Sequence, residues 1–109
     1  MARLTADFWV RAYLRRLEGE GITAFIAAKG DATAGAVMIV VATLDGQARV
    51  FQRSFDLQSG ARVWVELMAG TEAEVSASVA AQRRFDPDLW VVEVEDRAGR
   101  HLLDAPGLE

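Results

Sequence analysis

The sequence predicts an α+β fold: a mostly antiparallel five-stranded sheet with two helices packed on one face, in the order α-β-β-β-β-α-β. Three observations lead to this prediction. A broad apolar arc at helical spacing lies near the start of the chain, and a capping box at residues 71–74 opens a second helix. Five apolar segments with strand-like patterns lie between and after them. Turn signals separate these segments, most clearly Asp45-Gly46.

The first helix is predicted to begin after Thr5, whose hydroxyl suits an N-cap, with Asp7 in the first turn. It should end near Gly19 or Gly21. Its apolar arc is wide, so we expect it to pack on more than one partner, such as the sheet and a second subunit.

The predicted strands are ITAFIAA (22–28), AVMIVVATL (36–44), QARVFQRSF (47–55), ARVWVELM (61–68) and LWVVEVED (89–96). The second of these is apolar on both faces, which predicts a central position in the sheet. The second helix should run to about Arg84, and its connection would allow the last strand to lie parallel to a neighbour. The chain contains no repeat or linker, so residues 1–109 are predicted to form one domain.

Composition excludes several chemistries. The 109 residues include no cysteine, which rules out a disulfide framework, an iron–sulfur cluster, a thiolate nucleophile and a cysteine-based zinc site. Hydrophobic residues make up 51% of the chain, enough to form a core without such supports. The longest apolar stretch, around residues 36–42, is far shorter than the ~20 residues of a membrane span, and charged residues interrupt the N-terminal run. We therefore expect a soluble, cytoplasmic protein without membrane association.

The distribution of charge argues against a general affinity for nucleic acid. The formal net charge is −4, and residues 86–109 alone hold seven acids and two arginines. Without a global positive potential, any binding of nucleic acid would require a local basic patch.

Three long stretches of the sequence resemble a known family. They are ARLTADFWVRAYLRRL, GAVMIVVATLDGQARVFQRSFDLQSGARVWV and FDPDLWVVEVEDRAGRHLLD. They are similar to a small bacterial family called domain of unknown function 1491, and the resemblance covers nearly the whole chain. It implies a single-domain bacterial protein without an assigned activity, catalytic residue or cofactor, so no functional residue is carried over.

The residues themselves contain no catalytic motif. Gly30 and Gly35 have the spacing of a phosphate-binding loop, but the lysine that should follow is missing and a strand follows in place of a helix. His101 is the only histidine and lacks convergent partners. Asp86 and Asp88 flank a proline in a pattern typical of a turn, although two carboxylates could also bind a divalent cation. The sequence predicts no cofactor or metal, and it favours a non-enzymatic role without deciding the question.

The strongest remaining signal is a strand in which arginine and phenylalanine alternate. In RVFQRSF, residues 49 to 55, such alternation places all four of these side chains on one face of a sheet. The next strand adds an arginine and a tryptophan. The candidate interaction face therefore consists of Arg49, Phe51, Arg53, Phe55, Arg62 and Trp64. Whether Phe51 and Phe55 point outward or into the core stays open at this stage.

The sequence leaves three functions open, two of which use this face. The leading prediction is a non-enzymatic protein-interaction module, homodimeric, that uses the aromatic–arginine face or the first helix, because these residue types are enriched at interface hot spots. An alternative is single-stranded nucleic-acid binding through Arg49, Phe51, Arg53 and Trp64. The acids expected on the same face count against it; they are Glu66, Glu93 and Glu95. A further alternative is a small-molecule-binding or enzymatic domain without an identifiable site.

Overall fold

The computed structural model describes residues 4–107, except for the side chain of Phe55. The elements follow the predicted order α-β-β-β-β-α-β. They are α1 (Ala6–Gly19), β1 (Thr23–Ala28), β2 (Val37–Ala42), β3 (Gln47–Phe55), β4 (Arg62–Thr71), α2 (Glu72–Phe85) and β5 (Trp90–Glu95).

The five strands form one mixed sheet with the spatial order β1-β5-β2-β3-β4. Only β2 and β5 run parallel, as the connection through α2 allows, and the other neighbours are antiparallel. All six residues of β2 are buried, which confirms its predicted central position. Strands β1 and β4 are the two edges of the sheet.

The prediction that both helices lie on one face is wrong, because they cover opposite faces. Ile39 and Val41 of β2 pack with α1, whereas Met38 and Val40 pack with α2. The physical reason lies in β2 itself. A strand that is apolar at every position has two faces to remove from water, so a helix is needed on each side of it.

Both predicted helix starts are confirmed. The Thr5 hydroxyl oxygen accepts a hydrogen bond from the Phe8 N–H at 3.2 Å. At the second helix, the Thr71 hydroxyl oxygen accepts from the Glu74 N–H at 3.1 Å, and the Glu74 carboxylate accepts from the Thr71 N–H at 2.9 Å. These bonds satisfy amide groups that a helix N-terminus otherwise leaves without partners.

The loop with phosphate-loop spacing has a structural role. A side chain at Gly30 or at Gly35 would overlap the backbone oxygen of Asp88. In this loop the backbone N–H of Asp31 donates to that same Asp88 oxygen at 2.9 Å. The indole N–H of Trp90 donates to the backbone oxygen of Asp31 at 2.7 Å. The two glycines therefore permit close packing of the loop against the start of β5.

Candidate functional site

The side chains of the predicted interaction face, leaving out that of Phe55, share one side of the β3–β4 hairpin. Arg53 lies opposite Trp64 and Phe51 lies opposite Glu66 in the register. This side is the one that α1 covers, and Phe51 is only 8% exposed, with its ring centroid 4.7 Å from that of His101. Phe51 is thus a core residue, whereas the side chain of Phe55 lies outside the described part of the structure.

A stack of aromatic and cationic groups organises this side. The Arg53 guanidinium lies 4.8 Å from the ring centroid of Trp9 and 5.0 Å from that of Trp64. Trp9 in turn stacks on Tyr13 at 5.0 Å. Because the ring centroids of Trp9 and Trp64 are themselves only 5.2 Å apart, the guanidinium lies beside both indoles, and its cation–π attraction to each helps to fix the orientation of Trp64. Trp9 belongs to the wide apolar arc of the first helix, and no pattern in the sequence connects it with this site.

Arg49 holds the neighbouring carboxylate in place. Its guanidinium donates to Glu66 at 3.2 Å and lies 5.1 Å from the ring centroid of Phe51. The sequence led us to expect Glu93 and Glu95 among these arginines as well. In the structure those two acids lie on the opposite face, because β5 directs Trp90 and Val92 toward α1.

The hydrogen-bond pattern of the hairpin defines which backbone groups face the sheet edge. The Asp56 N–H donates to the backbone oxygen of Ala61 at 2.8 Å, so the backbone carbonyl of Ala61 is directed toward the chain that continues from β3. Residues whose backbone groups are directed toward the partner strand alternate along an antiparallel ladder, and β4 therefore bonds to β3 through Val63 and Val65. It follows that the N–H and C=O groups of Arg62, Trp64 and Glu66 point away from β3, toward the outer edge.

The same edge exposes apolar surface. Val65 is 38% exposed and Leu67 is 47% exposed. Leu67 has no partner in the β3–β4 register, since Glu66 pairs with Phe51 and Met68 pairs with Val50. The regular part of the edge therefore ends at a bulge after Glu66.

On the α2 side of the sheet lies a second feature, which we call the acidic groove. Its walls and floor enclose about 340 Å³. Its lining residues are Val40, Ala42, Ala48, Glu72, Ala73, Val75, Ser76, Val79, Val91 and Glu93. Seven of these ten residues are valine or alanine, and two carboxylates line the same space, those of the exposed Glu72 and the partly buried Glu93. The sequence did not reveal this arrangement.

The pKa of Glu93 is raised by partial burial and, in addition, by the carboxylates of Glu95 and Glu72. Because the folded state holds this proton more tightly than the unfolded chain, Glu93 should lower stability as the pH rises above the ordinary glutamate pKa of about 4.3. We expect the free energy of unfolding of the Glu93→Gln variant, relative to that of the wild type, to increase as the pH rises across this range. Urea titrations at a series of pH values would measure the difference, and parallel curves would contradict it.

The remaining polar candidates have structural partners. The His101 Nδ1 accepts from the Leu103 N–H at 3.0 Å, and burial lowers the pKa of this imidazole. The Asp86 carboxylate accepts from the Asp88 N–H at 3.1 Å, as in a turn. Within residues 4–107, apart from the Phe55 side chain, no cluster of three His, Cys, Asp or Glu side chains could hold a metal ion.

Two further clefts flank the arginine–tryptophan stack, of about 470 and 520 Å³. Arg62 lines both of them, and His101 and Asp104 line only the larger. Their volumes lie within the range of small-molecule sites, yet neither joins a nucleophile to a base in the part of the chain that the structure describes. In that same part, no helix is long and apolar enough to cross a membrane.

Comparison with solved structures places the fold among close relatives. A crystal structure of a DUF1491 family protein from Caulobacter crescentus CB15 is 41% identical, with a TM-score of 0.82 over 94% of this chain and 95% of that chain. An NMR structure of a DUF1491 family protein from the same organism is 43% identical, with a TM-score of 0.79 over 94% of both chains. A solution structure of a protein from A. tumefaciens is 30% identical, with a TM-score of 0.73 over 86% of both chains.

No curated protein matches the chain. The model of the family described as "Protein of unknown function (DUF1491)" matches residues 4–104, in agreement with the resemblance of the sequence motifs. The chain therefore belongs to the DUF1491 family.

Proposed function

We propose that this protein is a non-enzymatic, cytoplasmic protein-interaction module of one domain, which forms a homodimer by antiparallel pairing of two β4 strands. The observation that carries this proposal is the reciprocal charge pattern of those β4 residues whose backbone N–H and C=O groups face the outer edge of the sheet. Arg62, Trp64 and Glu66 alternate along the edge, so the strand is complementary to its own two-fold copy.

The charges select one register. With Trp64 opposite Trp64 of the second copy, each Arg62 stands opposite a Glu66, and the residues that meet are those whose backbone groups point to the edge. Shifting the centre to Arg62 would place two arginines opposite each other, and shifting it to Glu66 would oppose two glutamates. Like charges directly opposite are destabilising, which leaves the register centred on Trp64 as the favourable one.

The pairing also covers apolar surface on both faces of the sheet. On the α1 side it brings two indoles together, each already oriented by its contact with Arg53. On the α2 side it sets Val63 opposite Val65 of the second copy and covers part of the exposed edge. Backbone hydrogen bonds, an aromatic pair and reciprocal ion pairs together are typical of strand-addition interfaces.

Charge reversal tests the proposal. Either Glu66→Arg or Arg62→Glu alone should raise the dissociation constant of the dimer about tenfold, because each substitution creates two like-charge pairs. The double variant Arg62→Glu/Glu66→Arg restores complementarity between the two copies but removes the Glu66 partner of Arg49 within each chain, so it should dimerise more tightly than either single variant. Sedimentation velocity over a dilution series would measure the dissociation constants.

Arg11→Glu is the matched control, since Arg11 lies in an exposed ion pair on α1, and it should leave the dimer unchanged. A monomeric wild type would overturn the homodimer. A dimer that ignores the β4 substitutions but is lost on Phe8→Ser would overturn the β4 interface in favour of α1, which exposes Phe8.

Single-stranded nucleic acid gains less support from the geometry. Phe51 is buried, Arg49 is engaged by Glu66, and the Arg53 guanidinium packs against the rings of Trp9 and Trp64. Three of the four predicted contacts are therefore occupied within the chain.

A further inference from the structure

We infer that the acidic groove binds a lysine or arginine side chain presented by a basic segment of a partner protein. The groove lies on the α2 side of the sheet and is formed within one chain. It is therefore distinct from the β4 edge, and its occupancy does not depend on dimer formation.

The shape of the groove fits an amphipathic side chain. Its lining combines three buried valines, Val40, Val79 and Val91, with two acids. Of these acids, Glu72 is exposed and Glu93 is partly buried. Lysine and arginine carry a hydrocarbon stem that packs on apolar surface and a cationic head that remains near polar groups. The groove offers both environments in one space of about 340 Å³, which exceeds the volume of a single such side chain.

The carboxylates of the groove call for an external cation. In the part of the chain that the structure describes, no ion pair involves Glu72 or Glu93. The ion pairs found there are Arg11 with Asp7, Arg49 with Glu66 and Arg100 with Asp96. On α2 itself, the Arg83 guanidinium donates to backbone oxygens and not to an acid of the groove. These oxygens belong to Lys29, Pro87 and Leu89. The repulsion that Glu93 experiences from the carboxylates of Glu72 and Glu95 is relieved when an opposite charge binds beside them.

Two observations favour a segment of another protein over other occupants. First, α2 exposes the small residues Ala73 and Ser76 beside the groove, so the backbone of a bound segment can approach closely. Second, Phe25 of β1 is exposed and lies directly opposite Glu93, where it offers the segment an apolar contact. Docking a second copy groove to groove would instead bring the glutamates of both copies together, which like-charge repulsion disfavours.

An NMR titration tests this inference. The ¹⁵N-labelled protein would be titrated with N-acetyl-lysine methylamide, with the isosteric but uncharged N-acetyl-norleucine methylamide as the matched ligand control. We expect the lysine probe to shift the amide signals of Val40, Val91 and Glu93. The Glu93→Gln substitution should raise the dissociation constant of this probe about fivefold. Binding should also lower the pKa of the Glu93 carboxyl toward its ordinary value, because the cation stabilises the carboxylate. Glu66→Gln, on the other face, should change none of these results.

Other outcomes would overturn the inference. These are equal shifts with the norleucine probe, shifts confined to residues outside the groove, or no shifts at all. Binding of n-butylammonium as tight as that of the lysine probe would show a site for free amines and not for a protein segment. Groove signals that change on simple dilution of the protein would identify a second copy as the occupant. Because the Glu66→Arg variant retains the groove, the titration can be repeated on it, and failure here is distinguishable from failure of the dimer.

Discussion

Replacing Trp9 by alanine should lower the free energy of unfolding by about 3–5 kcal/mol, the range for truncating a buried aromatic side chain. Trp9 is 5% exposed and contacts Tyr13, Trp64 and Arg53 through its ring. The substitution would leave a cavity between α1 and the β3–β4 hairpin, and it would remove one of the two indoles that hold the Arg53 guanidinium. Urea denaturation followed by circular dichroism, at one fixed protein concentration, would measure the loss.

Phe8→Ala is the matched control for Trp9, because it truncates the adjacent aromatic residue of the same helix. Phe8 is 58% exposed, so its truncation should change stability by no more than about 0.5 kcal/mol. If Trp9→Ala destabilised the protein no more than Phe8→Ala, the arginine–tryptophan stack could not be the element that joins α1 to the hairpin.

Gly30→Ala should destabilise the protein by about 3 kcal/mol, the upper end of the range for forcing extra volume into a packed site. The added methyl group would overlap the backbone oxygen of Asp88 and lie 2.7 Å from Cδ1 of Trp90. The backbone cannot yield without breaking the bonds that Asp31 makes with Asp88 and with the Trp90 indole. Denaturant titrations would measure the loss, and the indole N–H signal of Trp90 should shift in the NMR spectrum.

Gly19→Ala provides the comparison, since a Cβ at this position of α1 would meet nothing within 4 Å. There the expected change is neutral or stabilising by up to about 1 kcal/mol, because alanine is the better helix former. Equal stabilities for the two variants would contradict the close approach of the loop to β5.

Local signals in the sequence were sufficient for the order of the elements and for the helix starts. The strand ends were less accurate, since β4 runs to Thr71, beyond its predicted end at Met68, and β2 ends at Ala42, before its predicted end at Leu44. The threonine caps and the Asp45-Gly46 turn depend on contacts within a few residues, and the structure has them where they were predicted. The placement of the helices depends on a longer-range question, namely which element covers each face of β2. The uniformly apolar β2 already required cover on two sides, but the sequence did not state which helix would supply each.

The candidate site was accessible from the sequence only in part. Alternation along β3 and β4 correctly grouped Arg49, Arg53 and Trp64 on one face, because strand periodicity is local. The contribution of Trp9 arises from packing across more than forty residues of sequence, which periodicity cannot express. Likewise, the position of β4 at an edge follows from β5 inserting between β1 and β2, and no signal within β4 encodes that event.

The acidic groove was missed for a related reason. Sequence reasoning assigned Glu93 to the face of the arginines, whereas β5 presents it beside α2. A strand with side chains buried on both faces gives little indication of which face its polar residues occupy, since neither set of positions is consistently exposed.

The bulge at Leu67 limits how far β4 can act as a template. Before it, even-numbered side chains lie on the α1 side, whereas Met68, after it, packs with the α2 cluster. A second strand aligned with residues 62–66 would therefore lose its match beyond Glu66, where the backbone changes phase. In the proposed dimer this confines recognition to five residues of each chain and discriminates against longer, less specific strands. A short and interrupted edge of this kind can form a reversible pair while resisting the open-ended sheet growth that leads to aggregation.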